Sequence, residues 1–308
     1  MKKIIHLTDL HMGYKDDKKD IHCTEAFINI VGHIITDYGS NADEYVIVIT
    51  GDLCNSAATG DEEEYEHNGK TFMAPPQYII AKTEIKRLEA ENFKVLVIPG
   101  NHDYGMKGTK YLPEYVEKFK KMFLDKPDVI YPTLYKGVSD MAFIGLDSMD
   151  GVFYEDDSSD DEEPYEFEDD DEDTVRLVGG SFAYGKITKE QLERFEVMLN
   201  EQNNVEHIVI YLHHHPFNQW FGRQLFHGLH GYKDLKKLVM NYNNVNNNVK
   251  AILYGHNHHG YKWNYRWGVP RFYDGGSSTG KGGRVSPHRI IDLSEEVPGY
   301  IDGNFYRP

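Results

Sequence analysis

The sequence predicts an α/β protein built on a parallel sheet, and three observations carry that prediction. Short apolar runs alternate along the chain with stretches of helical hydrophobic spacing, the rhythm of strand–helix–strand units. The run Tyr45-Val46-Ile47-Val48-Ile49-Thr50 is apolar without alternation, as expected of a strand covered on both faces. Five apolar runs end in short segments of Asp, Asn and His. Functional loops gather in such folds at the C-terminal ends of the strands.

Taken in order, Lys2 to Thr8 reads as the first strand and Asp9 to Asp20 as a polar loop. Ile21 to Tyr38 carries Phe27, Ile30, Val31, Ile34 and Ile35 at helical spacing. After the strand Tyr45 to Thr50, Ser56 to Pro76 reads as a polar, acidic connection. Gln77 to Asn92 reads as a helix with Ile80, Ile85 and Leu88 on one side, and Phe93 to Pro99 as the third strand. Tyr111 to Phe123 reads as a helix, and Val129 to Tyr135 and Met141 to Leu146 as strands. Thr188 is the expected cap of a helix over Lys189 to Asn200. His207 to Leu212 is a strand, Phe217 to Gly231 a loop rich in aromatics and histidines, and Tyr232 to Tyr242 a helix. Asn243 to Asn248 reads as an Asn-rich connection before the strand Val249 to Tyr254. Tyr261 to Tyr273, Gly275 to Thr279 and Arg289 to Leu293 close the chain as strands and turns.

Composition bounds the function. Hydrophobic residues at 40% and charged residues at 27% suit a soluble protein, and no apolar run reaches the roughly 18 residues of a membrane span. The two cysteines, Cys23 and Cys54, are too few for a disulfide framework, so free thiols in the cytoplasm are expected. Glu155 to Asp173 holds 14 acidic residues and no basic ones, which accounts for all but three of the net charge of −17. Such density predicts a mobile acidic insert, at about 150–177, on a single domain spanning 1–308. The body has no basic stripe to neutralise a phosphate backbone, which argues against polymeric nucleic acid as a partner.

The five strand-end segments carry the chemistry. Asp9 and His11 are two apart, and His256 and His258 repeat that spacing. In the loop after a strand either pair can chelate one divalent ion, which accepts imidazole, carboxylate and carbonyl oxygen. Asp52 stands alone after its strand, placed as a carboxylate between two ions would be. Asn101 offers a side-chain carbonyl oxygen, and one histidine of His213-His214-His215 completes the set. Cys23 is expected to be packing. The Gly-rich run Gly275 to Gly280 follows the last ligand pair and does not fit a phosphate-binding P-loop.

Asp-x-His, Gly-Asp, Gly-Asn-His-Asp, His-x-Pro and Gly-His-x-His, in that order, resemble the calcineurin-like metallophosphoesterase superfamily over roughly residues 3 to 280. The start Asp9-Leu10-His11-Met12-Gly13 is most similar to the bacterial cyclic-nucleotide and glycerophosphodiester phosphodiesterase branch. The resemblance implies a four-layer α/β/β/α sandwich and two divalent or trivalent metal ions, Mn, Fe or Zn. Carried over, it makes Asp9, His11 and His258 ligands of one ion and Asn101, His214 and His256 ligands of the other, with Asp52 bridging. His214 is chosen within the triplet because the family's ligand lies two residues before the proline. His102 matches a family histidine beside the phosphate or leaving group, and Asp103 is expected to orient it.

The implied reaction is phosphoester hydrolysis, in which a water activated between two ions attacks phosphorus in line with the leaving oxygen. A small phosphodiester, cyclic nucleotides first, is the expected substrate. A phosphomonoesterase or nucleotide pyrophosphatase is the nearest alternative. Asn55, His215, Arg223 and His227 are expected near the substrate, with Trp220, Tyr14 and His259 as further neighbours. No basic amphipathic cap supports the superfamily's lipid-A precursor pyrophosphatases, and no membrane partner is expected. A metal-free interaction scaffold is the reading of a different class, opposed by competent side chains at all seven ligand positions. The oligomeric state stays open.

Overall fold

Strands form where β-branched residues run together, and the chain then alternates as expected. The structure, a computed structural model, describes residues 3–67, 69–106, 110–137, 141–150, 165–167, 175–177, 183–217, 228–281, 288–292 and 299–302. The first half runs β1 (Lys3–Leu7), α1 (Cys23–Tyr38), β2 (Tyr45–Thr50), β3 (Glu63–His67), β4 (Lys70–Ala74), α2 (Pro76–Ala90), β5 (Lys94–Ile98) and α3 (Pro113–Phe123). The second half runs β6 (Thr133–Lys136), β7 (Met141–Gly145), α4 (Lys189–Glu201), β8 (His207–Tyr211), α5 (Tyr232–Asn246), β9 (Val249–Tyr254), β10 (Lys262–Arg266), β11 (Val269–Asp274), β12 (Arg289–Asp292) and β13 (Gly299–Asp302).

Two sheets result. The first has the order β13-β12-β1-β2-β5, with β1, β2 and β5 parallel and the two closing strands antiparallel. The second has the order β6-β7-β8-β9-β11-β10, with β7, β8, β9 and β11 parallel. Side chains alternate across each strand, and the core divides accordingly. Ile5, Leu7, Ile47, Ile49, Val95 and Val97 cluster with Phe27, Ile34, Ile85 and Phe119 of α1 to α3. Their neighbours Ile4, Val46, Val48, Leu96 and Ile98 cluster with Phe143, Ile210 and Ile252 of the second sheet. That cluster continues onto Phe195 and Leu199 of α4 and Leu235 and Val239 of α5. The layers are therefore helix, sheet, sheet, helix, as the sequence resemblance implied.

Three boundaries differ from the sequence reading. The connection Ser56 to Pro76 contains the hairpin β3–β4, in register Glu63↔Ala74 and Tyr65↔Phe72. Its strands are mostly exposed, so no apolar face announced them. β6 starts at Thr133 and not Val129, because Pro132 has no N–H to give a ladder. The Asn-rich stretch is helical to Asn246 and ends on Asn247 in a left-handed conformation, which Asn tolerates. Asn243 holds β9 through bonds from its Nδ2 to Val249 O and from Val249 N to its Oδ1, 3.2 and 2.8 Å. Thr188 caps α4 as expected, accepting from Gln191 N. The acidic insert lies almost wholly outside the described residues, apart from Tyr165–Phe167 paired antiparallel with Val175–Leu177. Among the described residues no helix is long and apolar enough to cross a membrane.

One buried carboxylate next to the site makes a stability prediction. Asp147 follows β7, accepts from Tyr104 Oη and Met149 N, and is pushed up to about 6 chiefly by burial. The folded state then holds its proton more tightly than the unfolded state does. Stability tied to that proton is complete below the ordinary carboxylate range and is lost as pH rises to about 6. Asp147→Asn is expected to gain about 2 kcal/mol over the native chain at pH 8 and almost nothing at pH 4. Urea midpoints at the two pH values check this. An equal difference at both would place the charge in water.

Candidate metal centre

Four of the five predicted ligand segments continue a parallel ladder beyond their strands. β1 and β2 extend their pairing through Asp9 N to Gly51 O, His11 N to Asp52 O and Met12 N to Leu53 O, at 2.9–3.1 Å. β8 and β9 do the same through Leu212 N to Leu253 O and Gly255 N to His213 O. Loops held this way have little freedom, so the side chains they carry are fixed in direction. The Gly-rich run after β11 works as a clamp. Ser277 Oγ donates to Asp9 O and Thr279 Oγ1 to Leu10 O, at 3.1 and 2.7 Å. Gly100 is obligatory for a local reason, since a Cβ there would meet the Asp52 carboxylate and backbone.

Seven side chains converge at the seam between the sheets. Asp9 Oδ1 lies 3.1 Å from His258 Nε2, and that nitrogen lies 3.0 Å from His11 Nε2. His11 Nε2 is 3.6 Å from Asp52 Oδ2. The other oxygen of Asp52, Oδ1, is 3.5 Å from His213 Nε2. Asn101 Oδ1 completes the second set, 3.0 Å from His213 Nε2 and 3.1 Å from His256 Nδ1. Ring nitrogens face one another at 3.0 Å, and one amide oxygen is shared by two imidazoles. Such a crowd of buried donor atoms suits an enclosed cation, and imidazole, carboxylate and amide oxygen suit Mn, Fe or Zn.

The charges agree with that use. His11 is held well below the ordinary histidine range, first by burial and then by the cationic groups around it, so its ring stays neutral and keeps a lone pair. Burial works against charge on Asp9, but His258 outweighs it and holds the carboxyl well below its usual range. His213 gives its Nδ1 proton to Thr50 O at 2.8 Å, which leaves Nε2 to face Asp52 and Asn101.

The backbone is strained at these same residues. Asp9, His11, Asp52, His256 and His258 all have φ between 44° and 73°. Side chains other than glycine adopt this left-handed region at a cost of roughly 1–2 kcal/mol each. Strain of that kind persists where the surrounding structure enforces it and the site uses it.

The remaining expected residues distribute differently. His214 stands in the same cluster, within reach of His213 and His256, but its Nδ1 bonds Ser148 Oγ at 2.8 Å and its ring lies 4.4 Å from that of His256. His102 is placed over the centre, with Nε2 3.9 Å from Asp52 Oδ2 and Nδ1 2.5 Å from Asn55 O. The orienting group is thus the Asn55 carbonyl. Asp103 instead accepts from Gly100 N and Cys54 N, bracing the loop, and burial beside Asp52 pushes it up to about 7. Asn55 faces inward as a tether for neighbours. His215 is buried against Phe217 and Tyr254 and pushed down to about 3 by burial. It belongs to an aromatic cluster that stabilises the chain after β8. Arg223, His227 and Trp220 lie outside the described residues. Cys54 is buried at 3.4 Å from Asp103 Oδ1, and burial raises its thiol well above the usual range.

One residue at the site has no precedent in the sequence reading. Lys281 Nζ donates to Asn55 Oδ1 at 2.8 Å and lies 3.2 Å from His11 Nδ1. In the chain it directly follows the Gly-rich run that clamps the Asp9 loop.

The sequence profile of the calcineurin-like phosphoesterases matches residues 2–260. The chain belongs to that family and is a metal-dependent phosphoester hydrolase by class. Among solved structures it is similar to a dimetal phosphatase from Danio rerio, with 13% identity over 95% of this chain and 92% of that one and a TM-score of 0.55. It is also similar to a 5'-nucleotidase from Candida albicans, with 12% identity and a TM-score of 0.51. That match covers 96% of this chain but only 48% of the nucleotidase. At such identities the likeness is one of fold. No curated protein matches the chain in sequence.

Proposed function

We propose that this chain hydrolyses small phosphate esters at a two-metal centre, with phosphodiesters, cyclic nucleotides first, as the substrate class its motifs favour. One observation carries the two-metal reading: the two oxygens of Asp52 face two separate donor sets. Asp9, His11 and His258 would hold one ion, and Asn101, His213 and His256 the other. His213 takes the place the sequence gave to His214, because its Nε2 faces both Asp52 and Asn101, with His214 beside it in the same cluster. Two such ions, Mn, Fe or Zn, would supply an acidified water and neutralise charge on phosphoryl oxygens.

The chain's own groups do the rest. His102 is anchored through Nδ1 on Asn55 O, so its Nε2 is directed at the space above Asp52. There it can give a proton to the leaving oxygen or stabilise charge on the phosphoryl group. Asp103 and Cys54 keep the His102 loop in register with the Asp52 loop. The buried free thiols Cys23 and Cys54 fit a reducing compartment, and the cytoplasm is the proposed location. A second reading, a phosphomonoesterase, is favoured by the Lys281 ammonium beside the site.

The test is metal analysis with hydrolysis of bis-p-nitrophenyl phosphate and p-nitrophenyl phosphate after Mn²⁺ loading. Two ions per chain and turnover of either ester are expected. His213→Ala should lose about one ion per chain, while His214→Ala should keep both. The reverse pattern would return the ligand to His214. A native chain without bound metal or activity would leave an interaction scaffold as the better reading.

A further inference from the structure

Resting on the reading of His102 as the group above Asp52, we propose that Gln77 is a positioning residue that directs His102. It acts through the backbone turn 55–57. The inference starts from how His102 is held. Its ring is anchored by Nδ1, which gives its proton to Asn55 O at 2.5 Å. Its backbone is anchored on the same turn, since Ala57 N donates to His102 O at 3.2 Å. The turn therefore grips His102 at both ends, and the direction of Nε2 follows the turn.

Gln77 fastens that turn to a helix. Its Oε1 accepts from Asn55 N at 3.0 Å and lies 3.5 Å from Ser56 N. An amide oxygen has two lone pairs and can serve both donors. Asn55 N also reaches Met12 O at 2.9 Å, a bond that joins the turn to the loop after β1. The Gln77 bonds join it to α2, which starts on Pro75 and Pro76. Their fixed φ gives the first turn of the helix a defined direction. The next residue, Tyr78, is fully buried and donates from its Oη to the backbone oxygen of Asp103, beside His102. Two consecutive helix residues thus hold the two sides of one hydrogen bond, the Asn55 carbonyl and the loop that carries the imidazole.

The fit around Gln77 is close. A Cβ on Gly13 would stand 2.6 Å from Gln77 Nε2 and 2.7 Å from its Cδ. The amide thus takes the space that a side chain at Gly13 would need, against the loop that carries Asp9 and His11. A larger group at 77 would press on that loop, so the informative substitution keeps the size of Gln and removes only its oxygen. Met does this, and Glu puts an oxygen back.

Gln77→Met, Gln77→Glu, His102→Gln and the double variant Gln77→Met/His102→Gln test this against the native chain. All are loaded with Mn²⁺ and assayed on bis-p-nitrophenyl phosphate. Gln77→Met is expected to lower kcat about tenfold to a hundredfold, the scale of a small misplacement of a reacting group, with KM near native and two ions bound. Gln77→Glu should recover part of that loss. In the His102→Gln chain the Gln77→Met substitution should cost less than about twofold, because the group it serves is gone. Equal losses with and without His102, loss of an ion, or native kcat in Gln77→Met would overturn the proposal. The bond is also read without turnover, by proton NMR of the Zn²⁺-loaded protein. The His102 Nδ1 proton, identified by its absence from His102→Gln, should move upfield and exchange faster with water in Gln77→Met. An unchanged signal would overturn the proposal as well. A native chain that binds two ions but cleaves no ester would defeat the hydrolase reading, while the proton signal would still judge Gln77.

Discussion

Asp52→Asn lowers metal occupancy and reduces ester hydrolysis by about a thousandfold or more, the scale on which electrostatic groups at a reacting centre act. The residue is one of two buried carboxylates in the ligand cluster, and its two oxygens serve opposite donor sets. The amide nitrogen of the variant cannot donate a lone pair, so one set loses an atom outright. Negative charge also leaves both sets at once, which weakens the hold on each cation. Its neighbours make substitution by rearrangement difficult: His102 N bonds Oδ1 at 2.9 Å, and Gly100 leaves no slack behind the carboxylate. Metal analysis and initial rates check this together. Two ions retained with activity within tenfold of native would remove Asp52 from the bridging position.

His102→Gln should keep both ions and lower kcat by about a hundredfold to ten-thousandfold, the usual contribution of a positioned acid or base. The two variants thus separate binding of the ions from use of them. His102 Nδ1 is occupied by the Asn55 carbonyl, so Nε2 is its working atom. Burial, opposed by Asp52 and the Asn55 bond, holds its pKa below the ordinary histidine value, so a proton that reaches Nε2 is readily passed on to a leaving oxygen. The loss should be greater for an alkyl leaving group than for p-nitrophenolate, which leaves without help. A uniform loss across leaving groups would reduce His102 to a positioning role.

The parallel ladders and their ends were legible because burial on both faces writes itself as unbroken apolar runs, and Tyr45–Thr50 and Val249–Tyr254 have the bounds the sequence suggested. The hairpin Glu63–Ala74 was not, because only Tyr65, His67, Phe72 and Ala74 turn inward on otherwise exposed strands, too few apolar positions to write a hydrophobic period. Asn243 is a case where composition misled: Asn favours loops, but here both ends of its side-chain amide are satisfied by the backbone across the helix end. At the site, residue types and spacing brought Asp9, His11, Asp52, Asn101, His256 and His258 to one place. Which of His213 and His214 faces Asp52 and Asn101 is set by contacts across the fold that two adjacent identical residues do not write into the sequence. Lys281 was invisible for a similar reason. Its position depends on a clamp between residues some 270 apart in sequence.

Five residues of the candidate centre sit in left-handed backbone, and at each of them glycine would relax the chain while deleting a proposed metal ligand. Selection for heat tolerance alone, in a library screened without substrate, should therefore drift toward glycine at Asp9, His11, Asp52, His256 and His258. Selection for turnover should hold all five fixed. The fold thus carries a standing conflict between durability and use, concentrated in the proposed ligands, whose side chains the centre would need and whose backbone would be better off without them.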